Sequence, residues 1–183
     1  MAKIAQMRGL CATLCEASAS ILNFMPPRNH DRIDRAIATR LQADGRIANV
    51  DLAEAVSLSP SACLRRVKAL EQDGIIAGYR AEVDRAKAGL GLTVFIAIKV
   101  EGHSRDTSDR IEEALTSIPA VVACYLVSGT ADFMVEAAVP DLAAYEQLLL
   151  SQILTIPSVT EAHSTFAIRT ILSRGPIPLD HWR

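Results

Sequence analysis

The chain has 183 residues, 50% of them apolar, and a formal net charge of −2 at pH 7. This length and composition allow one large or two small domains with real cores and exclude a disordered protein. No apolar run reaches the roughly 18 residues that a membrane-spanning helix needs, so the sequence predicts no membrane segment.

The cysteines predict neither a disulfide framework nor a metal site. Cys63 and Cys124 lie in apolar patterns and are interpreted as core thiols. Cys11 and Cys15 are one helical turn apart, but no nearby histidine or second cysteine pair completes a metal site. The absence of a predicted disulfide framework is typical of a reducing compartment, so we expect a cytoplasmic protein.

Catalytic motifs are also missing from the sequence. The four histidines are scattered without metal-ligand spacing, and there is no HExxH, no GxSxG and no phosphate-binding P-loop. We therefore expect no enzyme activity, no metal and no cofactor.

Residues 1–29 are separated from the rest of the chain by Pro26 and Pro27. Glu16 interrupts their apolar stretch, which argues against a signal peptide. We interpret them as a poorly ordered N-terminal extension. An amphipathic helix, or a gene start placed too far upstream with Met25 as the true initiator, are the alternatives.

Two short helices are predicted after this extension. The first ends at Asp44-Gly45, and the second has Asn49 as its N-cap. The side chains that their spacing places on the inner faces are Ile33, Ala36, Ile37, Arg40, Leu41, Leu52, Ala53 and Val56.

A third helix is predicted within LSPSACLRRVKALEQDGII (58–76). Ser59 is a good N-cap, Pro60 suits the first helical position, and Gly74 ends the helix. At 100° per residue, its inner stripe is Cys63, Val67 and Leu70. Its outer side is Ser61, Arg65, Lys68 and Gln72.

The predicted order is two helices, a tight turn at Ser57-Leu58 and a third helix. This is the helix-turn-helix order, in which the last helix enters the DNA major groove. A small three-helix bundle with a solvated outer face is the alternative. The tight turn and the Arg65-Arg66 pair favour DNA. The charge does not, because residues 30–84 hold eight basic and nine acidic side chains. Any DNA affinity must then come from local clusters and from doubling by oligomerisation.

The stretch IIAGYRAEVD (75–84) favours a short wing or hinge strand, and RAKAGLG (85–91) is typical of a linker.

In the C-terminal half, the spacing of the apolar residues changes from helical to a mixture of strand and helix periods. Its predicted elements are a strand at 92–101, a helix at 107–118, a strand at 121–128, a turn at 129–132, a strand at 133–139, a helix capped by Asp141, and a long strand at 159–172. This order is the ferredoxin-like βαββαβ pattern.

Both helices of such a domain cover only one face of its sheet. The apolar candidates for the other face are Phe95, Ala97, Leu126, Phe166 and Ile168. Burying that face against an identical sheet is the economical solution, so the sequence predicts a homodimer.

The residues resemble a known family. DRIDRAIATRLQADGRIANVDLAEAVSLSPSACLRRVKALEQDGIIAGY is similar to the N-terminal module of the Lrp/AsnC or feast/famine transcriptional regulators. VSGTADFMV and DLAAYEQLL resemble parts of their regulatory domain. The resemblance covers about residues 30–173, with both modules in the expected order.

The resemblance implies an assembly of dimers, such as an octamer, that binds double-stranded operator DNA and responds to a small effector, an amino acid. It also implies that a Gly-x-x-Asp turn helps to form the effector pocket. The matching residues here are Ser128, Gly129, Thr130, Ala131, Asp132 and Phe133. A glycine turn exposes N–H groups that can hold a carboxylate, and Asp132 can hold an ammonium group. A plain hairpin turn is the alternative.

For DNA, the resemblance and the helix geometry indicate the same residues: Ser59, Ser61, Ala62, Arg65, Arg66 and Lys68. Arg65 suits a bidentate pair with guanine, and Lys68 and Arg66 suit phosphates. Arg66 lies toward the side of the helix, so a structural ion pair is its alternative role. Ala62 either meets a thymine methyl group or only fits closely.

We therefore predict an α+β protein, with a winged helix-turn-helix domain followed by a ferredoxin-like effector-binding and oligomerisation domain. The predicted boundaries are 1–29 for the extension, 30–84 for the DNA-binding domain with its hinge strand, 85–91 for the linker, 92–173 for the regulatory domain and 174–183 for a tail. The leading function is an effector-responsive, sequence-specific transcriptional regulator. The alternative is a small-molecule-sensing oligomer whose N-terminal module binds a protein partner.

Overall fold

The computed structural model describes residues 30–102, 104–180 and 182, and the chain divides into two compact units. One unit, here called the helical domain, joins the described residues up to Arg80 with the tail that starts at Arg174. The other, the sheet domain, is Ala81–Ser173. The predicted extension at 1–29 lies outside the described residues. Within the described ranges, no helix is both long and apolar enough to cross a bilayer.

The elements follow the predicted order of three helices and then a βαββαβ unit. They are α1 (Arg32–Ala43), α2 (Asn49–Ala55), α3 (Pro60–Gln72), β1 (Leu92–Val100), α4 (Arg105–Thr116), β2 (Val121–Leu126), β3 (Phe133–Val139), α5 (Leu142–Leu148), a π-helical turn (Leu149–Ile153) and β4 (Val159–Phe166). The predicted α+β fold is confirmed.

The core of the helical domain is built from the predicted inner faces of its three helices. Its fully buried side chains are Ile37, Leu52, Ala53, Cys63 and Leu70. Arg40 is the exception, because it is exposed near the end of α1. Burial raises the pKa of the Cys63 thiol, which keeps it protonated and unreactive, as expected for a core cysteine.

The start of α2 differs from the prediction. Ala48 is the N-cap and provides no side-chain hydrogen bond, whereas Asn49 is the first helical residue. The Asn49 side-chain amide donates instead to the Pro60 carbonyl at 2.9 Å. Asn49 therefore joins the first residues of α2 and α3, which is a use of its amide that competes with capping.

The turn between α2 and α3 is as tight as predicted. Ser57 has φ +56°, a left-handed conformation that a residue with a Cβ rarely adopts. The Leu58 N–H then donates to the Ala53 carbonyl at 2.9 Å. This closed turn fixes the angle at which α3 leaves α2.

No strand forms between α3 and β1 in the described chain, so the predicted hinge strand at 75–84 is absent here. An extended segment needs a neighbouring strand to satisfy its backbone groups, and none lies beside this one. Tyr79 instead returns to α3, where its hydroxyl donates to Glu71 Oε1 at 3.0 Å. Burial, followed by this hydrogen bond, raises the Tyr79 pKa.

The sheet domain has four antiparallel strands in the order β2-β3-β1-β4. The core lies between one face of the sheet and the helices. Its largest buried side chains are Val94, Ile96, Ile98, Ile111, Leu115, Phe133, Val135, Leu148 and Ile153. The inner residues of β1 are those that the alternation predicted.

Strand β4 ends at Phe166, six residues before the predicted end at Leu172. Its partner explains the difference. Phe166 lies opposite Val94, and the Ala167 N–H donates to the Thr93 carbonyl at 3.0 Å, near the point where β1 itself begins. Only Leu92 and Thr93 of β1 lie beyond this pair, so the strand has little left to pair with.

The other face of the sheet contains Phe95 and Ala97, as predicted, but not Leu126 or Phe166. These two lie opposite the core residues Phe133 and Val94, so they belong to the helix side. Phe166 packs edge-on against Tyr145 of α5, with ring centroids 5.0 Å apart. The prediction missed this because it lacked the strand register, which decides the side on which a residue lies.

The central part of the observed open face contains two cross-strand rows. They are Tyr125, Met134, Ala97 and His163 in one row, and Ala123, Glu136, Phe95 and Thr165 in the other. Arg85 of the linker contacts Glu136 of the second row, with Nη1 2.7 Å from Oε1, and Thr93 of the same face, with Nη1 3.2 Å from Oγ1. Phe95 and Tyr125 remain 40% and 58% exposed, so the apolar part of this face is uncovered within one chain.

Ile96 provides a test of this core. Because Ile96 is fully buried between sheet and helices, Ile96→Ala should lower the unfolding free energy by about 2–5 kcal/mol, and Ile96→Val by about 0.5–1.5 kcal/mol. Urea unfolding followed by circular dichroism measures both. Equal stability of the Ala variant and the wild type would contradict the described core.

Candidate nucleic-acid interface and effector turn

Four side chains form an exposed row along α3, and we call them the reading face. They are Ser61, Arg65, Lys68 and Gln72, as the helical spacing predicted. Neither Arg65 nor Lys68 has an ion-pair or hydrogen-bond partner among the described residues. Their cationic groups are therefore available to an external acceptor.

The first turn of α3 is organised by Ser59. Its hydroxyl accepts a hydrogen bond from the Ala62 N–H at 3.3 Å and lies 3.3 Å from the Ser61 hydroxyl. Ser59 is therefore the N-cap, as predicted, and Ala62 is half-buried beside it. The positive end of the helix dipole lies at this turn, which favours a nearby anion such as a phosphate.

Arg66 occupies a different environment from Arg65, although the two are adjacent in sequence. Its Nη1 lies 2.8 Å from Asp34 Oδ1 and 2.9 Å from Asp31 Oδ2. Both carboxylates belong to the start of α1, where they also form a capping box with the backbone. The structure thus contains the ion pair that the sequence left open for Arg66.

These contacts change the titration of the partners. The backbone N–H of Asp34 is the largest cause that lowers the pKa of Asp31, and the hydrogen bond to Asp34 is the largest that raises the pKa of Arg66. Since the folded-state pKa of Asp31 is lowered, its contribution to stability is present at neutral pH. It is lost as the pH falls through that pKa.

The predicted effector residues lie on the β2–β3 turn. Ser128, Gly129 and Thr130 are exposed, and Ala131 and Asp132 are half-buried. Gly129 has φ +129°, a conformation that disfavours any residue with a Cβ. The turn therefore presents its backbone outward at the glycine.

Asp132 makes three hydrogen bonds, of which one closes the turn on Val127 and two attach it to Ile98 and Val100 of β1. Its N–H donates to the Ile98 carbonyl at 2.9 Å, its carbonyl accepts from the Val127 N–H at 2.9 Å, and its Oδ2 accepts from the Val100 N–H at 2.9 Å. Among the described residues, Oδ1 has no hydrogen-bond partner. One carboxylate oxygen is thus structural, and the other is available.

Phe133 differs from the other five predicted effector residues. It is 1% exposed and packs in the core of the sheet domain. Its ring supports the turn from inside the domain and does not line the open side.

Sequence reasoning missed the two acidic partners of Arg66 as part of this site. Their spacing, Asp31-x-x-Asp34 at a helix start, was a usable signal, because it is the spacing of a capping box. It also missed the tail, whose sole tryptophan, Trp182, packs against the core of the helical domain. Within the described residues, no cluster of three or more metal-ligating side chains occurs.

Sequence comparison identifies both domains. The family description "Winged helix-turn-helix DNA-binding" matches residues 30–77, and "Lrp/AsnC ligand binding domain" matches residues 93–177. The Bkd operon transcriptional regulator of Pseudomonas aeruginosa is 38% identical over 149 residues, which is 81% of this chain and 97% of that protein. The leucine-responsive regulatory protein of Escherichia coli is 38% identical over 139 residues, which is 76% of this chain and 85% of that protein.

Structural comparison agrees. An AsnC family transcriptional regulator from Agrobacterium tumefaciens has a TM-score of 0.80 and 36% identity, covering 84% of this chain and 100% of that one. A transcriptional regulator from Neisseria meningitidis in complex with L-Met has a TM-score of 0.79 and 34% identity, covering 83% and 98%. The chain therefore belongs to the Lrp/AsnC family of transcriptional regulators, with a winged helix-turn-helix DNA-binding domain followed by a ligand-binding domain.

Proposed function

We propose that α3 places its reading face in the major groove of operator DNA, and that an amino acid bound at the β2–β3 turn changes this binding. The observation that supports the DNA contact most strongly is the contrast between the two adjacent arginines. Arg66 is held by Asp31 and Asp34, whereas Arg65 points outward without a partner in the described chain.

Arg65 then reads a base, and Lys68 binds a phosphate. A guanidinium group makes two hydrogen bonds with guanine O6 and N7, whereas an ammonium group acts as a point charge. Ser59, Ser61 and Ala62 lie at the helix start, where the backbone N–H groups and the dipole favour a phosphate. Arg66 retains donors beyond its ion pair with α1, so its first role is to orient α3 and its second is a phosphate contact.

A dimer compensates for the weak charge of the helical domain. The open face of the sheet supplies the contact, since Phe95 and Tyr125 are exposed there on one chain. Two reading helices then contact two half-sites and double the number of phosphate contacts. We propose that such dimers assemble further, into a ring such as an octamer.

The β2–β3 turn has the chemistry to bind an amino acid. The backbone N–H groups around Gly129 suit the carboxylate, and the unpartnered Oδ1 of Asp132 suits the ammonium group. One structural relative is a complex with L-Met, and several sequence relatives are leucine-responsive regulatory proteins. We therefore propose an amino acid with an apolar side chain as the effector.

The alternative, in which the N-terminal module binds a protein partner, is supported only by the near-neutral charge of residues 30–84. The match of residues 30–77 to a DNA-binding description favours DNA. A regulator that binds operator DNA acts in the compartment that holds the DNA, which in a bacterial cell is the cytoplasm.

The DNA contact is tested by gel-shift titration with the region upstream of the protein's own gene. Arg65→Ala should weaken specific binding by about 1–3 kcal/mol and relax the preference at one base pair, because one bidentate contact is lost. Lys68→Ala should weaken binding to all sequences and lower the salt slope by about 1.

Arg110→Ala is the matched control, since it removes the same charge from an exposed helix of the sheet domain. It should bind DNA as the wild type does. The proposal is wrong if Arg65→Ala also binds the operator with wild-type affinity.

The effector turn is tested by Asp132→Asn, which keeps an oxygen for the Val100 N–H but removes the negative charge. Thermal unfolding is measured with and without each of the twenty amino acids. The wild type should be stabilised by at least one of them, in proportion to the logarithm of its concentration. Asp132→Asn should lose that stabilisation, whereas Asp141→Asn, a helix cap in the same domain, should keep it. Equal stabilisation of Asp132→Asn and the wild type would exclude the turn.

The dimer is tested by light scattering. The wild type should have twice the 19.7 kDa mass of the chain, or an even multiple of it. Phe95→Asp should reduce the particle mass, because it places a charge in the proposed contact. Val50→Asp, at an exposed apolar residue of α2, should not. A monomeric wild type would refute the assembly.

A further inference from the structure

The C-terminal tail is part of the helical domain. The chain passes through the whole sheet domain between Ala81 and Ser173 and then returns, from Arg174 onward, to the unit formed by residues up to Arg80. The match to the ligand-binding domain ends at residue 177, so the end of the tail lies outside both matched regions. The helical domain is therefore assembled from two separate parts of the chain.

One anchor of the tail is Gln42, near the end of α1. Its Oε1 accepts a hydrogen bond from the Ile177 N–H at 2.7 Å, and its Nε2 donates to the Ile177 carbonyl at 3.3 Å. The side-chain amide thus pairs with both backbone groups of a single tail residue. The Ile177 side chain takes no part, since it is 67% exposed.

The second anchor is Trp182, a tail residue that packs at the start of α1. Its ring lies against His30, with centroids 5.1 Å apart and the planes tilted by 40°, and it packs against the buried core of the domain. Its carbonyl accepts a hydrogen bond from Arg35 Nη2. The tail is therefore held near both ends of α1.

The Trp182 anchor lies beside the residues that hold the reading helix. His30 Nδ1 is 3.9 Å from Asp34 Oδ2, and the other oxygen of that carboxylate is 2.8 Å from Arg66 of α3. A continuous series of contacts thus connects Trp182, through His30 and Asp34, to the helix that carries Arg65.

We propose that the tail is a strap that orients the reading helix, with Gln42 and Trp182 as positioning residues for DNA binding. Without the strap, the start of α1 loses the aromatic contact that restrains His30 and the acceptor of Arg35. The Asp31–Asp34–Arg66 cluster then holds α3 less rigidly, and a displacement of α3 weakens contacts to bases that the tail itself never touches. This inference rests on the proposed role of α3, but docking of the tail can be tested without DNA.

Trp182 is the sole tryptophan of the chain, so its fluorescence reports docking directly in the full-length protein. In the wild type, acrylamide should quench this emission less efficiently than it quenches free N-acetyltryptophanamide. Gln42→Ala should raise the quenching constant toward the free value, whereas Ile177→Ala, which keeps both backbone hydrogen bonds, should not. A wild-type tryptophan that is quenched as readily as the free compound would overturn the docking.

The positioning role is tested by operator affinity at a temperature well below the unfolding transition, where a purely stabilising role has no effect. Gln42→Ala and Trp182→Ala should each weaken binding by about two- to tenfold, as the loss of one or two neutral contacts permits. The salt slope should stay unchanged, because no phosphate contact is removed. Trp182→Phe keeps an aromatic ring against His30 and should restore most of the affinity.

Unchanged affinity in both variants, beside a wild type that binds DNA, would overturn the positioning role alone. A wild type that binds no DNA would overturn the proposed function and the positioning role together, and the quenching result would still decide whether the tail docks.

Discussion

The direction of the reading face depends on how α3 is held against α1. Cys63 and Leu70 bury one side of α3, and Arg66 attaches its flank to Asp31 and Asp34. A helix rotates by about 100° per residue, so fixing Arg66 also fixes the direction of Arg65. Because an ion pair that is partly removed from water is specific in direction, it orients the helix better than apolar contacts alone do.

The acidic partners have a second role that makes this attachment rigid. Asp31 and Asp34 also satisfy the free N–H groups at the start of α1. A displacement of Arg66 would therefore disturb both the ion pair and the cap of α1, and the free-energy costs of the two would add. The restraint on the reading face is thus supplied by the first turn of α1, where the tail also docks.

The sheet domain separates its two tasks by strand alternation. Even-numbered residues of β1, such as Ile96, face the core, and odd-numbered residues, such as Phe95, lie on the open face. The β2–β3 turn closes one end of this sheet, and Asp132 couples it to β1 through its N–H, which donates to Ile98, and its carboxylate, which accepts from Val100. In the proposed function, a ligand bound at Asp132 acts on the strand that also carries Phe95 and Ala97 of the open face, and this strand is the route we propose from effector to assembly.

Period and capping signals were sufficient to predict the order of the elements and most of the core. Ser59 and Asp141 cap helices as their positions indicated. The predictions that were wrong concerned residues whose partners are distant in the sequence. The register with β3 and β1 decides on which face of the sheet Leu126 and Phe166 lie, and it also decides where β4 ends. The amide of Asn49 is used by Pro60, eleven residues away.

For the site, the outward row on α3 was predictable because a helix sets the direction of its own side chains. The alternative role of Arg66 was decided by carboxylates more than thirty residues away. The docking of Trp182 was not predictable, because no local period relates the tail to α1.

The most direct test of the central claim is methylation protection of guanine N7 in the upstream DNA, since N7 lies in the major groove where Arg65 is proposed to bind. The account predicts protected guanines in two half-sites, separated by one helical turn of about 10–10.5 base pairs or a multiple of it. A footprint in which the protein is bound and every guanine N7 remains as reactive as in free DNA would contradict it.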